Sequence, residues 1–388
     1  MSPPQVQPGE VAWPSNTAPP APTPPAAPPS VAPPPAASAA AAQPPSEPVE
    51  VDTLLMRSAR MLAGQPVDPP STTAVEAVRD QNSKLAPAMD EFEDKSGKGM
   101  RAWAAQHLSS AAGQTVLYPF SGPDFLTIHR LYPDASRYVL VALQDGGLPP
   151  VIERMSERTA SATLRVHARA MSQFAQKGFF VTAKLGKGYS VPGAWTGISG
   201  MLMAFAVLEG YDVIHAAPLR LGDKANDVTV IESPNILRED WSSLRLWLRD
   251  HNGKIVLLDY LDADLSNNGL RAETTARRTI ERAAEDHVLI KAASHLLQFP
   301  PFSLLRDIIV ERTKELVQDE TGVKYSDLLA SFNVALYGRF VGVNPLFDPR
   351  PQRALKRAYE GRSDIPPLDF AIGYTKPAGP CLMVATRK

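Results

Sequence analysis

Residues able to do chemistry gather at three points in the chain, each directly after an apolar run. The first is Tyr118-Pro119-Phe120-Ser121-Gly122-Pro123-Asp124, which continues Thr115-Val116-Leu117. Ser121 and Gly122 let a ligand approach the backbone closely, and Asp124 stands where a helix would begin. The second is Asp259-Tyr260-Leu261-Asp262-Ala263-Asp264, three carboxylates at the end of the run 254–258. Paired carboxylates can run acid–base chemistry or hold a hard cation through oxygen. A calcium loop does not fit, because the stretch from Asp262 to Gly269 lacks an acidic terminal ligand in register; a polar turn leading into the next helix accounts for it. The third joins Lys291 and His295 to Gln318-Asp319-Glu320. Lys291 closes an apolar run, and His295 shares its face if a helix starts at once. Such a set makes either an acid–base site or a buried ionic network that pins helices together.

Other chemistries lack their spacing. The histidines are scattered, with no His-x-x-x-His pair. The stretch Ala183-Lys184-Leu185-Gly186-Lys187-Gly188-Tyr189 has the composition of a phosphate loop without its order. Gly197-Ile198-Ser199-Gly200 is not a nucleophile elbow. Cys381, the one cysteine, excludes an intrachain disulfide and a cysteine-based zinc site, and its apolar neighbours Leu382, Met383 and Val384 mark it as a buried small hydrophobe. A formal net charge of −1, with no basic run carrying interleaved aromatics, argues against a nucleic-acid partner.

The elements that must position these residues begin late. Residues 1–50 are dominated by proline, alanine, serine and glutamine, with no basic residue before Arg57 and only Glu10, Glu47 and Glu50 acidic. Proline removes donors and fixes φ, so this stretch is expected to be a disordered, semi-rigid polyproline II spacer. It acts as a tether, or alternatively as a ligand for a proline-binding domain. The opening Met1-Ser2-Pro3-Pro4 has neither the basic nor the apolar region of a signal peptide. The most apolar stretch, 197–208, is broken by Glu209 and Asp212, short of the about 20 residues a membrane span needs. No transmembrane segment is expected.

Residues 51–114 read as a helical extension, with helices over 52–64, 74–86 and 89–107. Residues 115–388 read as an α/β domain. Strand 115–119, helix 125–131 and strand 137–143 form a β-loop-α-β unit whose crossover is right-handed. Helices are expected over 149–177, 197–209, 241–251 and 272–285, and strands over 179–182, 212–217, 227–232, 254–260 and 288–291. This alternation predicts a mostly parallel, Rossmann-like sheet with helices on both faces. Runs 368–374 and 380–386 predict an antiparallel hairpin at the C-terminus.

At the loop 118–124 the chain resembles class I S-adenosylmethionine-dependent methyltransferases, through a strand ending in a small-residue loop, a helix, a second strand and a terminal antiparallel hairpin. The resemblance covers about 115–145 and, more loosely, 368–387. It implies that Tyr118, Ser121, Gly122 and Asp124 cradle S-adenosylmethionine. The family has two or three glycines in this loop where the chain has Gly122 alone, the pattern of a degenerate member. The family also ends its second strand with an acidic residue that holds ribose, and Asp145 in Gln144-Asp145-Gly146-Gly147 stands near that position. Asp259 or Lys291 would then face the substrate. The phrases 118–124 and 318–322 are also similar to a family of uncharacterised bacterial proteins, some of them exported or lipid-anchored. That similarity implies a processed form in the cell envelope or periplasm; without export the chain is cytoplasmic. Two functional expectations follow: a methyltransferase-like domain binding an adenosyl-type small ligand, with or without catalysis, or a non-catalytic, tethered envelope protein that binds a protein partner.

Overall fold

Five fully buried residues, Thr115–Pro119, form β1, and their lack of alternation is what a strand covered on both faces requires. The computed structural model describes residues 50–68, 74–177, 197–222, 228–232, 237–272, 274–293, 295–342, 352–373 and 380–388. The expected tail, apart from Glu50, and the expected strand over 179–182 lie outside the described residues.

β1 pairs in parallel with β2 (Arg137–Ala142), from Thr115 opposite Arg137 to Pro119 opposite Val141. Between them runs a short helix, Phe125–Leu131, whose first turn is capped by the Asp124 carboxylate accepting from the Thr127 amide. Three further strands join this parallel centre: β6 (Ile255–Asp262) beside β2, β7 (His287–Ile290) beside β1, and β8 (Glu315–Gln318) beside β7. Antiparallel strands extend both flanks. β5 (Leu244–Arg249), β3 (Asp212–Leu221) and β4 (Val228–Val230) follow β6, while β10 (Cys381–Arg387) and β9 (Phe332–Gly338) follow β8. The ten-stranded order is β4-β3-β5-β6-β2-β1-β7-β8-β10-β9. All strands except β4, β5 and β10 run the same way. The fold is mixed α/β.

Alternate residues of the strands feed two cores. Val116, Tyr118, Tyr138, Leu140, Leu258 and Leu289 pack on one face with helices α1 (Thr53–Leu62), α2 (Val75–Phe92), α3 (Lys98–His107), the helix Phe125–Leu131 (α4), α5 (Glu157–Lys177) and α6 (Ser199–Leu208). Leu117, Val139, Leu261, Val288 and Leu316 pack on the other with α7 (Thr275–Ala283) and α8 (Ser303–Arg312). Each fully buried aliphatic side chain contributes about 1.5–3 kcal/mol. The helices of 51–114 share the first core, through Leu55, Leu62, Leu85, Phe92 and Trp103. α1 starts and stops as its residues dictate: Asp52 accepts from the Leu55 amide at 3.0 Å, and Gly64 follows at φ 72°. Among the described residues no helix is long and apolar enough to cross a membrane.

Two expectations are corrected. Residues 241–251 are not a helix; Leu244, Leu246 and Leu248 are buried and alternate with Arg245, Trp247 and Arg249, and this period of two makes β5. The C-terminal strand is real, but 368–373 is not its partner. Phe370 and Ile372 bury in the first core without joining the sheet, and β10 pairs instead with β8 and with β9, far back in the chain. Residues 374–379 lie outside the described residues.

Candidate functional site

The chain leaves the sheet's centre in opposite directions from β1. β2 and then β6 lie to one side, β7 and then β8 to the other, so the strand order reverses between β1 and β7. Ligands of open α/β sheets bind beyond the carboxyl ends of strands at such a reversal. The pairing is consistent with an opening here. β1 matches β2 over five residues but β7 over only two, Val116 with His287 and Leu117 with Val288. Beyond Leu117 the two strands share no further pairs.

Side chains connect the two strand ends beyond these pairs. Lys291 Nζ lies 2.9 Å from Asp124 Oδ2, and both side chains are only 2% exposed. The Tyr118 hydroxyl donates to the same carboxylate oxygen at 3.2 Å, while Oδ1 caps α4 at 3.1 Å. Ser121 turns inward: its amide donates to the Val141 carbonyl at 3.1 Å and its hydroxyl to the Gly122 carbonyl at 3.0 Å. Ser121, Gly122, Pro123 and Asp124 are all buried, and Phe120 packs edge-on against Phe302 at 5.6 Å.

The turn after β7 is held from β8. Asp319 Oδ2 accepts from the Ala292 amide at 2.7 Å, the Asp319 amide donates to the Ile290 carbonyl at 3.1 Å, and Thr321 Oγ1 accepts from the Ala293 amide at 2.9 Å. Burial, and then the charge of Glu320, push the Asp319 carboxyl up to about 7, against the pull of the Thr321 and Ala292 donors. Gly373, at φ 64°, lies so close to Asp319 that a β-carbon there would collide with its carboxylate. Gln298 spans the same region, its amide nitrogen donating to the carbonyls of Glu320 and Gly322 at 3.1 Å each. Four non-glycine residues among those described have a left-handed backbone, and three of them, Phe120, Ala292 and His295, sit in these two turns. Such residues persist only where their surroundings over-determine them.

A second polar group occupies the end of β2. Asp145 is exposed between Leu143 and Leu148, which are exposed as well. Gly146 and Gly147 donate to the carbonyls of Ser242 and Trp241 at 2.9 Å, and the Gly146 carbonyl accepts from Ile198 and Ser199 at the start of α6. Asp262, at the end of the neighbouring β6, has its carboxyl raised by burial and then by the charge of Asp145. Gln144 Oε1 and Ser199 Oγ are buried here without a hydrogen-bond partner among the described residues. Orphaned buried polar atoms are rare in folded chains and call for a partner.

The structure therefore brings Tyr118, Ser121, Gly122, Asp124 and Lys291 together, and it adds Asp319 to the turn that carries Lys291. Asp145 stands apart, at the end of β2. Asp259 is elsewhere: it is opposite Val139 in the register, level with Leu117 rather than with the loop. Its fully buried carboxylate receives Arg137 at 2.6 Å and Arg245 at 2.6 Å. Burial pulls that carboxyl up, but Arg245 and Arg137 prevail and hold it below the ordinary range. Among the described residues no group of three or more His, Cys, Asp or Glu side chains is arranged to hold a metal ion. Gln144, Ser199 and Gln298 are not marked out in the sequence, because a lone neutral polar residue carries no spacing signal. Comparison with protein-family models, with curated proteins and with solved structures finds no match for the chain.

Proposed function

We propose that the chain is a methyltransferase-like Rossmann protein that binds a small adenosyl-type ligand at the carboxyl edge of its sheet, and that it binds without transferring a group. The reversal of strand order between β1 and β7, whose pairing ends at Leu117 with Val288, carries this reading. The unpartnered Gln144 and Ser199 oxygens and the exposed Asp145 carboxylate support it, since they offer acceptors to ligand hydroxyl and amino groups. The two residues expected to face a substrate are already engaged, Lys291 by Asp124 and Asp259 by Arg137 and Arg245. That is why binding, rather than catalysis, is the activity proposed. Calorimetry with S-adenosylmethionine and with its demethylated product tests it. Heat with the native chain that is lost in Asp145→Ala supports the reading; silence in both leaves a likeness of architecture alone.

A second reading has its own observation. Ser121 to Asp124 are buried, and Phe120 packs against Phe302 instead of lining an open cleft. A tethered, non-catalytic protein of the cell envelope that offers this domain to a protein partner would need no cleft. Recovery of a partner by the full chain, compared with a chain lacking residues 1–50, tests that role, and no recovery with either removes it.

A further inference from the structure

We propose that the Lys291–Asp124 ion pair is an autoinhibitory bar, closing the crevice between β1 and β7 until a ligand or a conformational change displaces it. The inference concerns the regulation of the same site and rests on the ligand-binding reading above. Its ground is the geometry of the bridge. β1 and β7 are paired only at Val116 with His287 and Leu117 with Val288, so past these residues the connection passes to side chains. The pair spans that interval at 2.9 Å and is buried at both ends.

Each end is anchored independently of the other. Asp124 is fixed by its bond to the Thr127 amide and by the Tyr118 hydroxyl. Lys291 is carried by a turn whose Ala292 and His295 are left-handed and whose amides are tied to Asp319 and Thr321 of the next strand end. Each loop is thus held on its own side, and the Lys291–Asp124 pair is an ionic contact between them. Breaking it separates them without dismantling either, because the cap on α4 and the Asp319 bond to Ala292 remain. A pin whose only task was stability would be met as well by an apolar pair of similar volume. The left-handed backbone of Ala292, next to Lys291, has no use in such a pin.

The test uses the full chain and two readouts. In Lys291→Met, and in the neutral double variant Asp124→Asn with Lys291→Met, amide hydrogen exchange is followed in peptides covering 118–128 and 288–297. The double variant keeps an acceptor for the Thr127 amide and leaves no buried charge unpaired, so it guards against loss of the fold. Faster exchange confined to those two stretches is expected; unchanged exchange there, or an increase spread over the whole chain, overturns the bar. The second readout is affinity for S-adenosylmethionine by calorimetry, expected to rise about tenfold or more in the double variant. Binding by the native chain that no variant improves overturns the bar and leaves the proposed function standing. Absence of binding in every form, with local exchange raised as expected, removes the adenosyl ligand and keeps the bar.

Discussion

Lys291 and Asp124 meet 2.9 Å apart across two strand ends that the backbone leaves unpaired. A buried pair of this kind contributes little net stability, but removing one member strands the other charge. Lys291→Ala is therefore expected to lower the unfolding free energy by about 3–5 kcal/mol. The double variant Asp124→Asn with Lys291→Met should recover most of that loss. Urea unfolding of the three chains measures both values, and a double variant no more stable than Lys291→Ala would refute the charge-burial account.

Much of this pair was legible in the sequence and its partnership was not. The run 115–119, the Gly-Pro loop and the helix after Asp124 carry local signals, and the β-loop-α-β unit stands where they put it. Lys291 ends an apolar run, which marks it as a strand terminus. Nothing local links it to Asp124, because that depends on β7 returning beside β1 instead of beside β2. β5 reads as a helix for a different reason. Six residues are too few to distinguish a period of two from one face of a helix when two arginines and a tryptophan occupy the alternate positions. The hairpin failed because alternation in 368–372 reports burial of Phe370 and Ile372, whereas sheet membership depends on where β9 lies.

Asp259 illustrates the gap between a suggestive sequence and an occupied side chain. Its carboxylate is clamped by Arg137 and Arg245, half-buried residues on either side of it. Asp259→Ala should cost about 3–5 kcal/mol by leaving two guanidiniums without their anion. Ligand binding per folded molecule should be unchanged. Denaturation, read together with calorimetry corrected for the folded fraction, separates the two effects. A stable Asp259→Ala chain that no longer binds would return this residue to the site.

His167 supplies the pH dependence of the first-face core. It is wholly buried, and burial lowers its pKa to about 3 although the Leu62 carbonyl draws it upward. In the unfolded chain an imidazole gains its proton near the ordinary value of 6.5. Between those two values the unfolded state binds more protons, so stability is complete above 6.5 and declines as the pH falls toward 3. The decline is about 1.4 kcal/mol per pH unit. His167→Gln keeps a donor for the Leu62 carbonyl and removes the titration. The gap in unfolding free energy between native and variant chains should narrow by about 2 kcal/mol from pH 7 to pH 5. A gap that stays constant would mean that the imidazole takes up its proton alike in the folded and unfolded chains, so that burial does not shift it.

Asp145 offers the sharpest separation of function from stability. Its side chain is exposed, and the turn that carries it is fixed mainly by backbone bonds from Gly146 and Gly147 to Ser242 and Trp241, with the Gly147 amide also donating to its carboxylate. Asp145→Ala should therefore change the unfolding free energy by no more than about 1 kcal/mol, the loss of one exposed hydrogen bond. If the end of β2 holds the hydroxyl-bearing part of an adenosyl ligand, the same substitution removes a charged acceptor. Hydrogen bonds to charged groups contribute about 1.5–3 kcal/mol, so affinity should fall by about tenfold to a hundredfold. Gln144→Leu should weaken binding too while leaving the native chain at least as stable, because it removes an oxygen that is buried without a partner. Parallel calorimetry and urea unfolding of these two variants test the assignment. Weakened binding with intact stability in both locates the ligand at β2, whereas unaltered binding in both moves it away from this strand end.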